Sequence, residues 1–350
     1  MNAEELVTKL SQKEIIQKVS LDSITIEGIE SRRGVFLEVE FKNVVFKNVL
    51  FVASVFEKCR FEQVTFESCT MQLCTIISST INQLISHKSS WIATDLNSNE
   101  GYIDLCATES DFSNSKFRGQ DLKNCAFINC NLTKINLSKC DLSESKFIDS
   151  NMEKITAKNS NFFSVLFENV NLTAANFEAS ELNQIQFNRC NLHRGLFIEA
   201  KIQGTDFSIA TETKHINLFK ATIKQTTFKG MDLTAVCLQE TQLEGVDFSQ
   251  CRLSPSNFNQ SRIINCRFDS ADLRQSLFEE SEIRDSSFIQ AELSYARFNN
   301  SSLTTCNFTK ANLNLASLHH ISEVRVNWEH VALDNVLQTN KELLEAEQWS

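Results

Sequence analysis

Ala271-Asp272-Leu273-Arg274-Gln275 and Ala311-Asn312-Leu313-Asn314-Leu315 share one five-residue pattern: a small residue, an Asp or Asn, a leucine, then two further positions that are mostly polar elsewhere. Outward from these segments the period holds. Large apolar residues fall five apart at Phe112, Phe117, Leu122, Phe127, Leu132, Leu137, Leu142 and Phe147, and the register continues to Phe207 with Ala157 as its one small member. A further run spans Leu218 to Leu318, and an earlier one spans Phe36 to Ile81, with Trp91 and Leu96 in phase and Ser86 breaking the pattern. Of the 27 Phe, 25 occupy these centres, and only Phe163 and Phe219 do not. Chance placement at one position in five would put about five or six there, so the period is that of a repeat protein.

Two residues before each centre stands a small or β-branched side chain, as at Cys125, Cys130, Ser145, Val170, Ala175, Ala200, Ala271, Ser281, Ala291 and Ala311. Both positions are therefore expected to face inward. The residue between them is polar, often Asn or Asp, as at Asp111, Asn131, Asp141, Asn171, Asp272 and Asn312.

The pattern and the quoted segments resemble the A(D/N)LXX consensus of the pentapeptide-repeat family, over roughly residues 26 to 320. The resemblance implies an all-β solenoid, a right-handed quadrilateral β-helix in which four pentapeptides make one coil and residues twenty apart stack. About fourteen coils at a strand spacing of ~4.8 Å would give a rod on the order of 65 to 70 Å. Each repeat would contact only its neighbours. Phe holds alternate centres (Phe248, Phe258, Phe268, Phe278, Phe288, Phe298, Phe308), so bulky and slimmer rows are expected on alternate faces.

The register divides the chain into blocks 21–97, 112–207 and 218–320, separated by breaks at 98–111 and 208–217 that each insert one residue beyond a multiple of five. Each break reads as a surface bulge or as a projecting partner-binding loop. Solenoid ends need caps. Leu6, Val7, Leu10, Ile15 and Ile16 suggest a short capping helix within residues 1–20. Trp328, Val331, Val336, Leu337, Leu343 and Leu344 suggest a second within 321–350, whose apolar face could instead serve a homodimer.

Composition excludes several function classes. A formal charge of −10 argues against direct nucleic-acid binding. The chain has no apolar run long enough to span a bilayer and no secretory leader pattern at Met1–Glu14. The expected location is cytoplasmic, with secretion by a route that uses no such leader left open. Ten of the 12 Cys occupy the small inward position and read as core residues in a reducing compartment. No catalytic, cofactor or metal site is expected, and no P-loop, dinucleotide fingerprint or HExxH motif occurs. Asn131, Asn151, Asn171 and Asn191 form a row twenty apart, expected to satisfy turn backbone and one another.

What remains is a surface read by a protein partner. Ile128, Ile148 and Leu166, and Leu50, Val52, Leu73 and Ile92 in the first coils, are apolar residues at outward positions. They suggest a non-enzymatic interaction scaffold, whether a cytosolic adaptor or a secretion-associated effector. The resemblance implies an alternative: a DNA mimic that occupies DNA gyrase or topoisomerase IV and protects it from quinolones or toxins. Residues 101 to 320 carry 25 acidic and 22 basic residues, a net of −3. Duplex DNA of the same length, ~53 Å, carries on the order of thirty negative charges.

Overall fold

The computed structural model describes residues 1–97, 99 and 101–347, without the side chains of 343 and 347. Among them the chain forms two compact units: residues 1–180 with 188–190, and residues 181–187 with 191–347. Both are parallel β-solenoids.

In the first unit the pairing register is twenty. Ile16 pairs with Phe36, and Phe36 with Phe56, then Phe56 with Ile76. Leu21, Phe41, Phe61 and Ile81 form the next column, and Ile26, Phe46, Phe66 and Ser86 another. Ser31, Phe51 and Met71 supply the fourth. Four centres per coil, stacked at strand spacing, place every centre side chain in the interior. The Phe rings of successive coils meet face to face, 4.6 Å apart for Phe36 and Phe56, while neighbouring columns meet edge on, as for Phe46 and Phe51 at 5.6 Å. Both geometries suit the aromatic quadrupole.

The second unit follows the alternation expected from the sequence. Phe207, Phe228, Phe248, Phe268, Phe288 and Phe308 stack in one column at 4.6–5.2 Å. Ile223, Leu243, Ile263, Ile283 and Leu303 fill a slimmer one.

The small inward residue has a polar task as well. Its hydroxyl or thiol donates to a backbone carbonyl 23 residues back, as Ser150 Oγ does to Phe127 O at 3.3 Å and Cys69 Sγ to Phe46 O at 3.2 Å. Buried carbonyls at the corner are thereby satisfied. The ten inward Cys are buried, while Cys106 is exposed and Cys237 half-buried. Burial pushes the inward thiols up to about 11, and to about 12 for Cys125, Cys251 and Cys266.

Corners are made by the second residue after the centre, which takes a left-handed φ of +47° to +62° at non-glycine positions such as Gln225, Ala53, Leu73 and Tyr295. An L-residue bears a cost of roughly 1 kcal/mol in that region. The coil imposes it repeatedly because a sharp corner is needed every five residues.

Ser86 breaks the apolar pattern for a physical reason. Trp91, fully buried, donates its indole Nε1–H to Ser86 Oγ at 2.8 Å, and Ser110 Oγ lies 2.9 Å from the same hydroxyl. An indole that large needs a buried acceptor.

Both capping helices are shorter than expected. Helix α1 spans Ala3–Ser11, with Asn2 Oδ1 accepting from Glu5 N–H at 2.8 Å as its N-cap. Ile16 belongs to the first strand, so the solenoid begins ten residues before Ile26. At the other end Asn327 pairs with Asn307 and Leu337 with Ser317, so 321–337 continues the coil. Only Lys341–Glu347 forms helix α2. Period five explains Trp328 and Leu333, ten and fifteen residues past Leu318, as well as a helical period does. The expected cap at 321–350 extends to residues 348–350, which lie outside the described residues.

The two register breaks each add one residue to the stacking interval. Ser90 pairs with Asp111 and Asp95 with Lys116, 21 apart, and Asn191 pairs with Glu212 and Asp206 with Thr227 likewise. Ser98 and Glu100 of the first break lie outside the described residues.

Candidate partner-binding surface

Three of the four apolar residues singled out in the first coils, Val52, Leu73 and Ile92, lie at one corner. Strand Leu50–Val52 pairs with Thr70–Gln72, which sets Val52 beside Gln72, and Leu73 N–H donates to Ile92 O at 3.0 Å in the next coil. Past the corner, Val35 and Val55 are paired neighbours. Ala53, Leu73 and Ala93 share the left-handed corner position, which throws their side chains outward. Leu73 is consequently 55% exposed, while Val52 and Ile92 are half-buried. Leu50 lies on the other side of Phe51 from Val52, at the flank of this surface. Helix α1 contacts the first strand, and Leu73 stands three coils further along its corner column, after Lys13, Arg33 and Ala53.

Ile128 and Ile148 are directly aligned on strands Ala126–Ile128 and Lys146–Ile148. Leu166 aligns with Lys146, across the Phe147–Phe167 row, and so does not join them. All three are half-buried.

At the chain's end Trp328 stacks on Phe308, centroids 4.6 Å apart, and donates Nε1–H to Glu323 Oε2 at 3.0 Å. Val331 and Val336 close turns after it, Leu337 is 53% exposed, and Leu344 lies in α2. These five do not form one helical face, because four of them belong to the last coil.

One apolar ridge escaped the sequence reading. Ala235, Pro255, Tyr295 and Leu315 occupy one corner column of the second unit, interrupted by Gln275. Tyr295 is 53% and Leu315 38% exposed. Sorting the corner position by a period of twenty would have found it.

Charge is neutralised locally. Lysines and arginines stack on acids one coil away: Lys47 on Glu67, Lys201 on Glu181, Lys220 on Glu240, Lys224 on Glu244 and Arg262 on Glu282, at 2.9–4.0 Å. Such exposed pairs add little stability, but they leave no continuous acidic column among the described residues. Burial alone would push the Asp141 and Asp232 carboxyls up, but hydrogen bonds from Ser143 and Thr234 together with Lys123 and Lys214 outweigh it and hold both below the usual carboxylate range. The Asn row behaves as expected. Asn131 and Asn171 accept turn N–H groups from Thr133 and Thr173, and Asn171 Nδ2 donates to Asn151 Oδ1 at 3.0 Å.

Among the described residues no cluster of three His, Cys, Asp or Glu could hold a metal ion, and no helix is long and apolar enough to cross a membrane. His193 and His215 meet at 5.5 Å between ring centroids without a third ligand among the described residues.

The geometry defines a parallel β-solenoid wound from five-residue units, four to a coil. Family models agree: the pentapeptide repeat region matches residues 120–197, and pentapeptide repeats match 214–250, 241–280 and 281–320. The chain belongs to the pentapeptide-repeat family. A third model, the SV2A/B/C luminal domain, matches residues 9–100. Among solved structures, HetL, a pentapeptide repeat protein involved in heterocyst differentiation regulation from the cyanobacterium Nostoc sp. strain PCC 7120, is 17% identical over 64% of this chain and 91% of its own, with a TM-score of 0.27. Full-length QnrB1, a plasmid-mediated fluoroquinolone resistance protein, is 18% identical over 71% and 98%, with a TM-score of 0.18. A pentapeptide repeat protein of the Arabidopsis thaliana thylakoid lumen is 16% identical over 33% and 67%, with a TM-score of 0.15. No curated protein sequence matches the chain.

Proposed function

We propose that this chain is a non-enzymatic scaffold that binds a protein partner through the corner formed by Val52, Leu73 and Ile92. The observation that carries the reading is Leu73. A leucine at a left-handed corner position, more than half exposed, with Val52, Val55 and Ile92 around it, serves no packing need of the coil. An apolar patch of this kind is a contact site in waiting. The stacked ion pairs support a protein surface rather than a DNA mimic, since they cancel the charge that a phosphate-like column requires. Neighbouring genes for secretion machinery would mark the scaffold as a secretion-associated effector, and neighbours of another kind as a cytosolic adaptor.

The test compares wild type with Leu73→Glu/Ile92→Glu, both side chains being outward. A partner cross-linked to the wild-type chain should lose at least tenfold in affinity for the variant while the thermal unfolding curve is retained. Unchanged affinity would remove this corner from the interface. Inhibition of gyrase supercoiling by micromolar protein would replace the reading with topoisomerase binding.

A further inference from the structure

Ser31 stands at a centre position, in the column that higher coils fill with Phe51, Met71 and Trp91. Its small side chain leaves a cavity of about 260 Å³ between its own coil and the segment that follows α1. Leu10, Ile15 and Val35 supply an apolar wall. Ser31 is 4% exposed, and its hydroxyl makes no hydrogen bond among the described residues, whereas its carbonyl accepts from Ser54 Oγ–H at 3.1 Å. A Cβ at Gly34 would lie 2.1 Å from Ser31 Oγ, so this hydroxyl keeps its place only beside a glycine.

The rim is cationic. Lys13 and Arg33 line the cavity from corner positions twenty residues apart. Neither forms an ion pair among the described residues, in contrast to the lysines and arginines stacked on acids elsewhere in the chain. Arg32 also lines the rim but is paired with Glu30, and Glu14 is the one carboxylate in the lining. Two unpaired cations, a buried hydroxyl free to donate and an apolar wall are together the complement of an amphipathic anion.

We propose that this cavity binds a small anion carried on an apolar group, a carboxylate or phosphate monoester beside a short hydrocarbon. The anion lies against Lys13 and Arg33 and accepts from the Ser31 hydroxyl, and the hydrocarbon lies against Leu10, Ile15 and Val35. This site is separate from the corner at Leu73 and stands or falls apart from it.

Isothermal titration calorimetry of the full chain at low salt, with N-acetyl-leucine, its neutral amide and phenyl phosphate as probes, tests the proposal. Saturable one-to-one binding of at least one anion is expected, with the amide at least tenfold weaker. Which anion binds tells carboxylate from phosphate. Arg33→Glu, at an exposed position, should weaken the anion at least tenfold. Ser31→Phe should abolish binding and raise the melting temperature by completing the Phe51 column. No saturable heat with either anion, equal binding of the amide, or undiminished binding in Arg33→Glu would overturn it.

Discussion

The first coil of the first unit and the last coil of the second face one problem, an open apolar stack, and close it by different physics. At the first, α1 lays Leu6, fully buried, over the stack, and the Met1 ammonium donates to Ser20 O at 3.3 Å. At the last, the pattern itself is broken. Glu323 stands in the column above Leu303, strand Ser322–Val324 is exposed throughout, and Trp328 lies over Phe308 while holding the Glu323 carboxylate. An edge strand offers unpaired N–H and C=O groups to any other chain, and a charge in the central column makes continuation costly. One end is covered; the other is made unattractive.

The comparison breaks most readily at the covered end. Leu6→Ala removes the only α1 side chain that is fully buried, and should cost about 2–4 kcal/mol, as for other large-to-small core changes. The readout is already in the chain. Cys59 is the inward thiol nearest this end and Cys306 the one nearest the other, and burial pushes both up to about 11, so neither reacts near neutral pH until its coil opens. Leu6→Ala should speed labelling of Cys59 and leave Cys306 unchanged; equal acceleration of both would mean that the two ends are not separately capped. Trp328→Ala should do the reverse at a smaller cost, about 1–2 kcal/mol, because the indole is only half-buried. The same thiols titrate with a definite sign. Their folded values lie above the ordinary 9, so the stability they contribute is complete below pH 9 and is lost as pH rises toward 11.

Most of the fold was legible because the interior is written in one position out of five. Phe and Leu centres are unambiguous at that spacing, and the small position before them is nearly so. The ends were harder because Ile16, Trp328 and Leu333 satisfy a helical period and the period of five at once; stacking on Phe36 and Phe308 decides between them, and stacking is a property of residues twenty apart. Ser86 looked like an error in the repeat until the Trp91 indole supplied its reason. The candidate surface was only partly legible. Leu73 and Ile92 could be recognised as outward, yet their meeting at a corner with Val52 depends on the left-handed turn, which Ala53, Leu73 and Ala93 adopt without the glycine that usually announces it. Tyr295 and Leu315 were missed for the same reason. Ser31 lay inside the recognised repeat but before the run of large apolar centres that starts at Phe36, and a serine announces neither a centre position nor the space it leaves.

Glu323→Leu sharpens the comparison with the smallest effect on stability. The column beneath it reads Ile263, Ile283, Leu303, and the substitution continues that column in kind, placing a leucine over Leu303 where the carboxylate now stands. Leu303 is already fully buried, so the gain is limited to the new leucine's own contact with it, while Trp328 Nε1–H loses its acceptor, and the two changes nearly offset, leaving a gain under about 1 kcal/mol. The larger change is in association. Without the charge at this centre position, the exposed Ser322–Val324 edge, with exposed Val324, Leu333 and Leu337 in the same last coil, becomes a template for a second chain. Sedimentation velocity across a concentration series should show a concentration-dependent dimer for Glu323→Leu at concentrations where the wild-type distribution does not shift, and Glu323→Gln should fall between them. If the Leu variant sediments as wild type does, the carboxylate is not what keeps this edge unpaired, and the role passes to α2 and the turns before it.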